Sequence, residues 1–330
     1  MPSSATDATT GATESGGGST GGTLSACAAS PEALADCVDM TSYQSDLEFI
    51  AELREPGSMH WQEVQDLCAD RLTELGYEVQ LFQYGSGVDV LGSLPGTMPD
   101  APRVFIGAHY DHIAGCTGAD DNATGVAGAL EAARVLAEGR YERTLTVACW
   151  DEEERGLIGS EAFAVAAADQ GIGVEVYFNF EMIGYASSDP DTQRIPPGFD
   201  LIFRDEIAAI EANEYRGDFL FVAGGDLSVA AVDSMRAHAM RLELPITAVS
   251  LNAAQKSDPL FGDLRRSDHA PFWDQDLPAI FISDSGEFRN DRYHCMGGED
   301  TVDTLVPDFT HKVVQTTVAA AAESLRLQSQ

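Results

Sequence analysis

The stretch RVFIGAHYDHIAGCTGADDNATGVAGALEAARVLAEG, residues 103–139, changes character twice. RVFIGAH is a short apolar run of the kind that fills a sheet centre. NATGVAGALEAARVLAEG offers an Asn or Thr cap, small residues that permit close packing, and Gly139 after its last turn, so it reads as a helix. Between them lie His109, Asp111, His112, Asp120 and Asp121, at the place where a buried strand ends. Unpaired charge is costly there, so something must bind these side chains.

The same strand, loop and helix unit recurs. RTLTVACW is followed by the loop DEEERGLIGS and the helix EAFAVAAADQ, and a third unit starts at VEVYFNFEMIGY. GDFLFVAG precedes DLSVAAVDSMRAHAMRLE, and LPAIFISD precedes a loop and the last helix, PDFTHKVVQTTVAAAAESLRL. Such alternation predicts an α/β fold, a three-layer α/β/α sandwich with a mixed, mostly parallel central sheet. Upstream, MTSYQSDLEFIAELRE and MHWQEVQDLCADRLTELGY carry apolar residues at helical spacing. EVQLFQY and VDVLGSL then read as paired strands. Ligands of open α/β sheets sit beyond the carboxyl ends of the strands. That rule gathers His109 and Asp111, Glu152 to Glu154, Glu181 and Asp284 onto one rim, since each follows an apolar run.

The chain has 330 residues, 44% of them apolar, enough for a sizeable core. Its formal charge of −35 comes from 19 basic against 54 acidic residues. This disfavours nucleic acid and anionic membrane surfaces as partners, because the basic residues are scattered. No apolar run is long enough for a transmembrane helix. Residues 1–38 are read as a low-complexity tether and 39–330 as one catalytic domain. The tether's Ser, Thr, Gly and Ala composition cannot form a core. A tether of this kind is expected downstream of an export signal or lipid anchor, which suggests a secreted or cell-envelope protein.

The six cysteines include no CxxC pair, which argues against a structural zinc knuckle. In an exported chain Cys116 is expected to pair with Cys295. Cys149, inside TLTVACW, reads most simply as a buried free thiol. Cys27 then pairs with Cys37 and leaves Cys68 free, unless Cys149 joins it.

Clustered histidines and carboxylates without thiolate suit zinc, or failing that cobalt or manganese. The segments GAHYDH, GADDNATG, DEEERGLIGS, NFEMIGY and SDHAPFW, in this order, resemble the co-catalytic di-zinc aminopeptidases, whose relatives include glutamate carboxypeptidases and glutaminyl cyclases. The resemblance spans about residues 40–330, including RYHCMGGEDTVDTL. It implies two zinc ions, with His109 and Glu181 on one, Glu154 and His269 on the other, and Asp121 bridging both. It further implies Glu153 as general base on a zinc-bound water, Asp111 orienting His109, and a cis peptide bond after Asp121. His294 is expected to hydrogen-bond the developing oxyanion, with Tyr293, Arg289 and Phe288 lining the substrate pocket. His112, Asp120 and Glu152 are placed outside the ligand set, in supporting or solvent positions.

Many of these aminopeptidases carry Asp where this chain has Glu181; the longer acid still reaches a metal. The implied activity is release of amino-terminal residues from peptides by a monomer. Carboxypeptidase-type action, a glutaminyl cyclase and an inactive binding module are the alternatives. His60, His238 and His311 are assigned to surface or packing. Substrate choice is expected to lie in residues 186–200, 212–217 and 252–268.

Overall fold

A computed structural model describes residues 26–328. Along the chain run helices α1 (Pro31–Ala35), α2 (Met40–Ile50) and α3 (Met59–Glu74), then strands β1 (Glu78–Gln83), β2 (Val88–Leu94) and β3 (Arg103–His109). They continue as α4 (Gly125–Leu136), β4 (Leu145–Trp150), α5 (Ile158–Gln170), β5 (Val174–Glu181), α6 (Phe199–Ile202) and α7 (Arg204–Ala212). The remainder is β6 (Leu220–Gly225), α8 (Val229–Arg241), β7 (Ile246–Leu251), α9 (Ala253–Lys256), α10 (His269–Asp274), β8 (Ala279–Ser283) and α11 (Pro307–Leu325).

The eight strands form one sheet in the order β1-β2-β4-β3-β5-β8-β6-β7. β4, β3, β5 and β8 are parallel neighbours, as are β6 and β7; the pairs β1 with β2, β2 with β4, and β6 with β8 are antiparallel. The central strands are buried on both faces, as their unbroken apolar runs require. Alternate residues feed opposite layers. Val104, Ile106, Phe178 and Ile280 pack with α1, α2, α3, α4, α8 and α11. Phe105, Trp150, Tyr177 and Phe281 pack with α5, α6 and α10. The expected three-layer α/β/α sandwich is therefore the observed one.

Three features depart from the sequence reading. Part of the expected tether is folded: Ser30 caps α1, Pro31 opens it, and Leu34 and Ala35 are wholly buried in the core shared with α11. The residues of the proposed tether before Ala26 lie outside the described residues. β7 is an additional edge strand, half-buried and bounded by Pro245 and Asn252. Finally, all six cysteines pair, as Cys27–Cys37, Cys68–Cys149 and Cys116–Cys295. Cys149 is thus not free: α3 packs against β1 and β2, beside β4, and brings Cys68 to it across 81 residues of sequence.

Candidate metal centre

His109 is the last residue of β3 and Glu181 the last of β5. Glu153 and Glu154 form a tight turn just beyond β4, and Asp121 lies between β3 and α4. Since β4, β3 and β5 are adjacent, three separate strand ends deliver these acids and His109 to one spot. His294 arrives from the loop after β8, in the turn Tyr293–Cys295.

Asp121 divides its carboxylate between two histidines. Its Oδ1 is 3.4 Å from His109 Nε2, and its Oδ2 is 3.3 Å from His294 Nε2. On the first side, His109 Nε2 is also 3.4 Å from Glu181 Oε2 and 3.9 Å from Glu153 Oε2. On the second, His294 Nε2 is 3.1 Å from Glu154 Oε2. Two groups of donor atoms lie close enough together to hold a metal ion: His109, Glu153 and Glu181, and His112, Asp121 and Glu154. His109 Nε2, Glu154 Oε1, His294 Nε2 and both ring nitrogens of His112 are buried with no hydrogen-bond partner. Buried polar atoms are ordinarily satisfied, so imidazole and carboxylate donors orphaned together fit a bound cation, and their chemistry fits zinc.

The electrostatics agree. Burial lowers the His294 imidazole, but Asp121 and Glu154 outweigh it and push its pKa up to about 10. Burial likewise lowers His109, and Glu181 and Glu153 overcome that to hold it well above its usual value. Burial would raise Asp121, yet His109 and His294 keep it well below the ordinary carboxylate range. Each of these nitrogens faces concentrated negative charge, and a metal cation competes with the proton for it. Burial raises the Glu153 carboxyl well above normal, with Glu181 and Asp268 adding to the effect against His109.

Supporting groups fix the arrangement. Asp111 accepts the backbone N–H groups of Glu153 and Glu154 at 3.0 and 3.3 Å, and its Oδ1 is 3.5 Å from His109 Nδ1. Ser267 donates to Glu181 Oε2 at 2.6 Å and accepts from Asn179 at 2.7 Å. The Asp121–Asn122 peptide bond is cis, as the resemblance implies. Asp121 is not steadied by a helix start: its own backbone is non-helical, and its N–H donates to Asp300 Oδ2 at 3.1 Å.

Residues 89–321 match the sequence model of peptidase family M28, about 70% of the chain. The chain belongs to peptidase family M28. Among curated relatives, it is 34% identical to Escherichia coli YfbL over 217 residues, 62% of each protein. It is 34% identical to leucine aminopeptidase 2 of Trichophyton equinum over 82 residues, 24% of this chain and 17% of that one. The matches thus take in less than two thirds of either relative. Among solved structures, the Legionella pneumophila LapA aminopeptidase superposes with a TM-score of 0.68 at 19% identity, covering 91% of this chain and 75% of that one. The glutaminyl cyclase of Porphyromonas gingivalis gives 0.59 at 19% identity, covering 88% and 98%. At such identities these two likenesses speak for the fold.

Two assignments are corrected in this M28 chain. His269 does not join Glu154. It opens α10 with its Nε2 hydrogen-bonded to Leu264 O at 2.8 Å and its ring packed against Trp273 and Phe281. Burial drives its pKa down to about 3, with no carboxylate among the opposing influences. The histidine beside Asp121 and Glu154 is His294, which had been expected at the oxyanion. His112 is also closer than expected, fully buried with Nδ1 2.8 Å from Glu154 Oε1, though without hydrogen-bond alignment.

Asp120 and Glu152 are buried supports rather than exposed residues. Asp120 accepts from Gly184 N–H and Asn290, while Glu152 accepts from Ser86 and Arg155. Asp300, which no motif marked, receives the N–H groups of Asp120 and Asp121. Its only sequence signal is its place in the segment after His294.

An apolar pocket opens beside Glu181, lined by Ile195, Phe199, Phe203, Ile207, Phe219 and Phe281 among others, with Tyr293 and Phe288 at its edge. Residues from 186–200 and 252–268 line it, whereas none from 212–217 does. Arg289 is no lining residue: it is buried, with Nε donating to Gln193 Oε1 and Nη2 to Phe219 O.

Proposed function

We propose that this M28 chain is a two-zinc aminopeptidase that removes apolar residues from the amino terminus of peptides. The observation that carries the reading is the split of Asp121 between His109 and His294. One carboxylate oxygen faces each of the two histidines, as a residue shared by two ions requires. His109, Asp121 and Glu181 would hold one zinc, and Asp121, Glu154 and His294 the other. Bound zinc supplies Lewis acidity to the scissile carbonyl and acidifies water.

Glu153 accepts the proton of the attacking water and returns it to the leaving amine. Its raised proton affinity and its position beside His109 Nε2 suit that task. The pocket next to Glu181 takes an apolar side chain. Glu181, Glu206, Asp263 and Glu287 also line it, and these acids favour a free ammonium group over a carboxylate. The two pocket arginines are already engaged: Arg194 with Asp291, and Arg266 with Glu287 and Tyr293. That pairing favours amino-terminal over carboxyl-terminal recognition.

No helix among the described residues is long and apolar enough to cross a membrane. Three disulfides support an oxidising, extracellular or periplasmic setting.

The test combines zinc analysis with a panel of aminoacyl anilides, amino-terminally blocked peptides and peptides starting with glutamine. Leucyl and phenylalanyl anilides should be cleaved and blocked peptides spared. Cyclisation of the glutamine peptides without hydrolysis would instead establish the cyclase reading. Glu153→Gln should lower kcat by at least about 100-fold while zinc content stays at the wild-type level. Full activity in that variant would remove Glu153 from the mechanism.

A further inference from the structure

The two donor groups are built from unlike material. His109 and Glu181 end fully hydrogen-bonded central strands, and both are buried within the sheet's rim. His294 sits in a loop whose next residues, Met296 to Glu299, are all exposed and include Gly297 and Gly298. Its own side chain is 25% exposed.

The turn that aims His294 is also unfavourable for the residues in it. His294 and Cys295 both adopt left-handed backbone conformations, at φ 52° and 56°. Such φ values are uncommon for residues with a side chain and persist only where surrounding structure enforces them. Tyr293 stacks on the imidazole and is itself held by Arg266. The one covalent restraint is Cys116–Cys295, which joins the residue after His294 to the loop carrying His112 and Asp121, across 179 residues. His294 and the loop that bears His112 and Asp121 thereby share one covalent tie. Asp300 fastens the same two segments by hydrogen bonds, but it lies beyond the exposed Met296 to Glu299 stretch.

We propose that the Cys116–Cys295 disulfide positions His294 for the second metal, so that without the bridge the chain keeps the ion at His109 and loses the one at Glu154. The inference rests on the two-zinc reading above. Cys116 and Cys295 are positioning residues: neither sulfur belongs to a donor group, and both act through His294. Of the three disulfides, Cys27–Cys37 joins residues in and just after the first helical turns, and Cys68–Cys149 joins α3 to β4 below the rim. Neither reaches the loop that carries His294, although Cys149 lies in the strand that leads to Glu153 and Glu154.

The experiment counts tightly bound zinc per chain after dialysis, and titrates zinc against a chromophoric chelator. It compares wild type with Cys116→Ser/Cys295→Ser and with Cys27→Ser/Cys37→Ser; circular dichroism and thermal melting follow the fold. Wild type and Cys27→Ser/Cys37→Ser should each hold two ions, even if the latter melts lower. Cys116→Ser/Cys295→Ser should hold one, its second ion weakened about 10- to 100-fold, the range seen when groups orienting a ligand are removed. Two ions at wild-type affinity in that variant would overturn the inference while leaving the two-zinc reading intact. Fewer than two in wild type would overturn the reading itself, and the inference with it. If the double variant does not fold, wild type is reduced with a water-soluble phosphine, with Cys68–Cys149 verified intact by peptide mapping. One ion is then expected, and two refute the proposal.

Discussion

Asp121 is buried, with its two carboxylate oxygens facing His109 and His294 at nearly equal distances. Its neighbours therefore matter more than its own helix propensity. His269 and His294 offer a direct comparison at this scale. Both are histidines beyond β7 in sequence, but one is closed into an aromatic cage and the other faces two carboxylates. Replacing His294 with Asn should remove one zinc and most activity with little change in melting temperature. Replacing His269 with Asn should leave the zinc count unchanged and destabilise the fold by about 1–3 kcal/mol, through a lost buried hydrogen bond and poorer packing. Zinc analysis beside thermal melting checks both, and a lost zinc in the His269 variant would reinstate it as a ligand.

At the level of elements, the segment between α2 and α3 governs the loop after β3. Arg54 is completely buried, and its guanidinium donates to the carbonyls of Tyr110, Thr117, Gly118 and Asp121. Burial lowers its pKa to about 10, opposed by Asp121, Asp300, Asp111 and Glu154, and it remains charged at neutral pH. A planar fork with several donors suits such a set of carbonyls, which an ammonium cannot reproduce. Arg54→Met should cost at least about 2 kcal/mol in chemical denaturation, because several buried carbonyls lose their donor. It should also weaken zinc binding by loosening the loop that carries Asp121. Arg54→Lys should recover only part of either loss. Gly118 belongs to the same device: at φ 57° a side chain there would be strained, and its Cβ would strike Asp121 O and the His112 ring.

For the whole molecule, the dominant global term is charge. A net −35 repels itself in the compact state. Added salt shortens the screening length from about 30 Å at 0.01 M to about 8 Å at 0.15 M. The melting temperature should therefore rise with sodium chloride over that interval in the presence of saturating zinc. A melting temperature that falls with salt would mean that attractive ion pairs such as Arg71 with Asp46 outweigh the general repulsion.

The sequence by itself determined the layered fold and most of the rim. Apolar runs of strand length, each followed by a polar loop and a helix, leave few ways to bury both faces of a sheet. Acids and histidines placed where those runs stop must then converge. His109, Glu153, Glu154 and Glu181 were placed on that rim for that reason, whereas Asp121 and the division of roles among them came from the family resemblance. Tertiary structure decided what depends on long-range approach. The aromatic surroundings of His269 and the left-handed turn at His294 decided which of the two histidines meets Asp121 and Glu154. The packing of α3 on β1 and β2 paired Cys68 with Cys149, and the core against α11 absorbed Leu34. The short edge strand β7 is only partly buried, without regular alternation, and gave a weak local signal. Local pattern specifies which face of an element is apolar, whereas contacts between elements far apart in sequence specify which polar atoms meet.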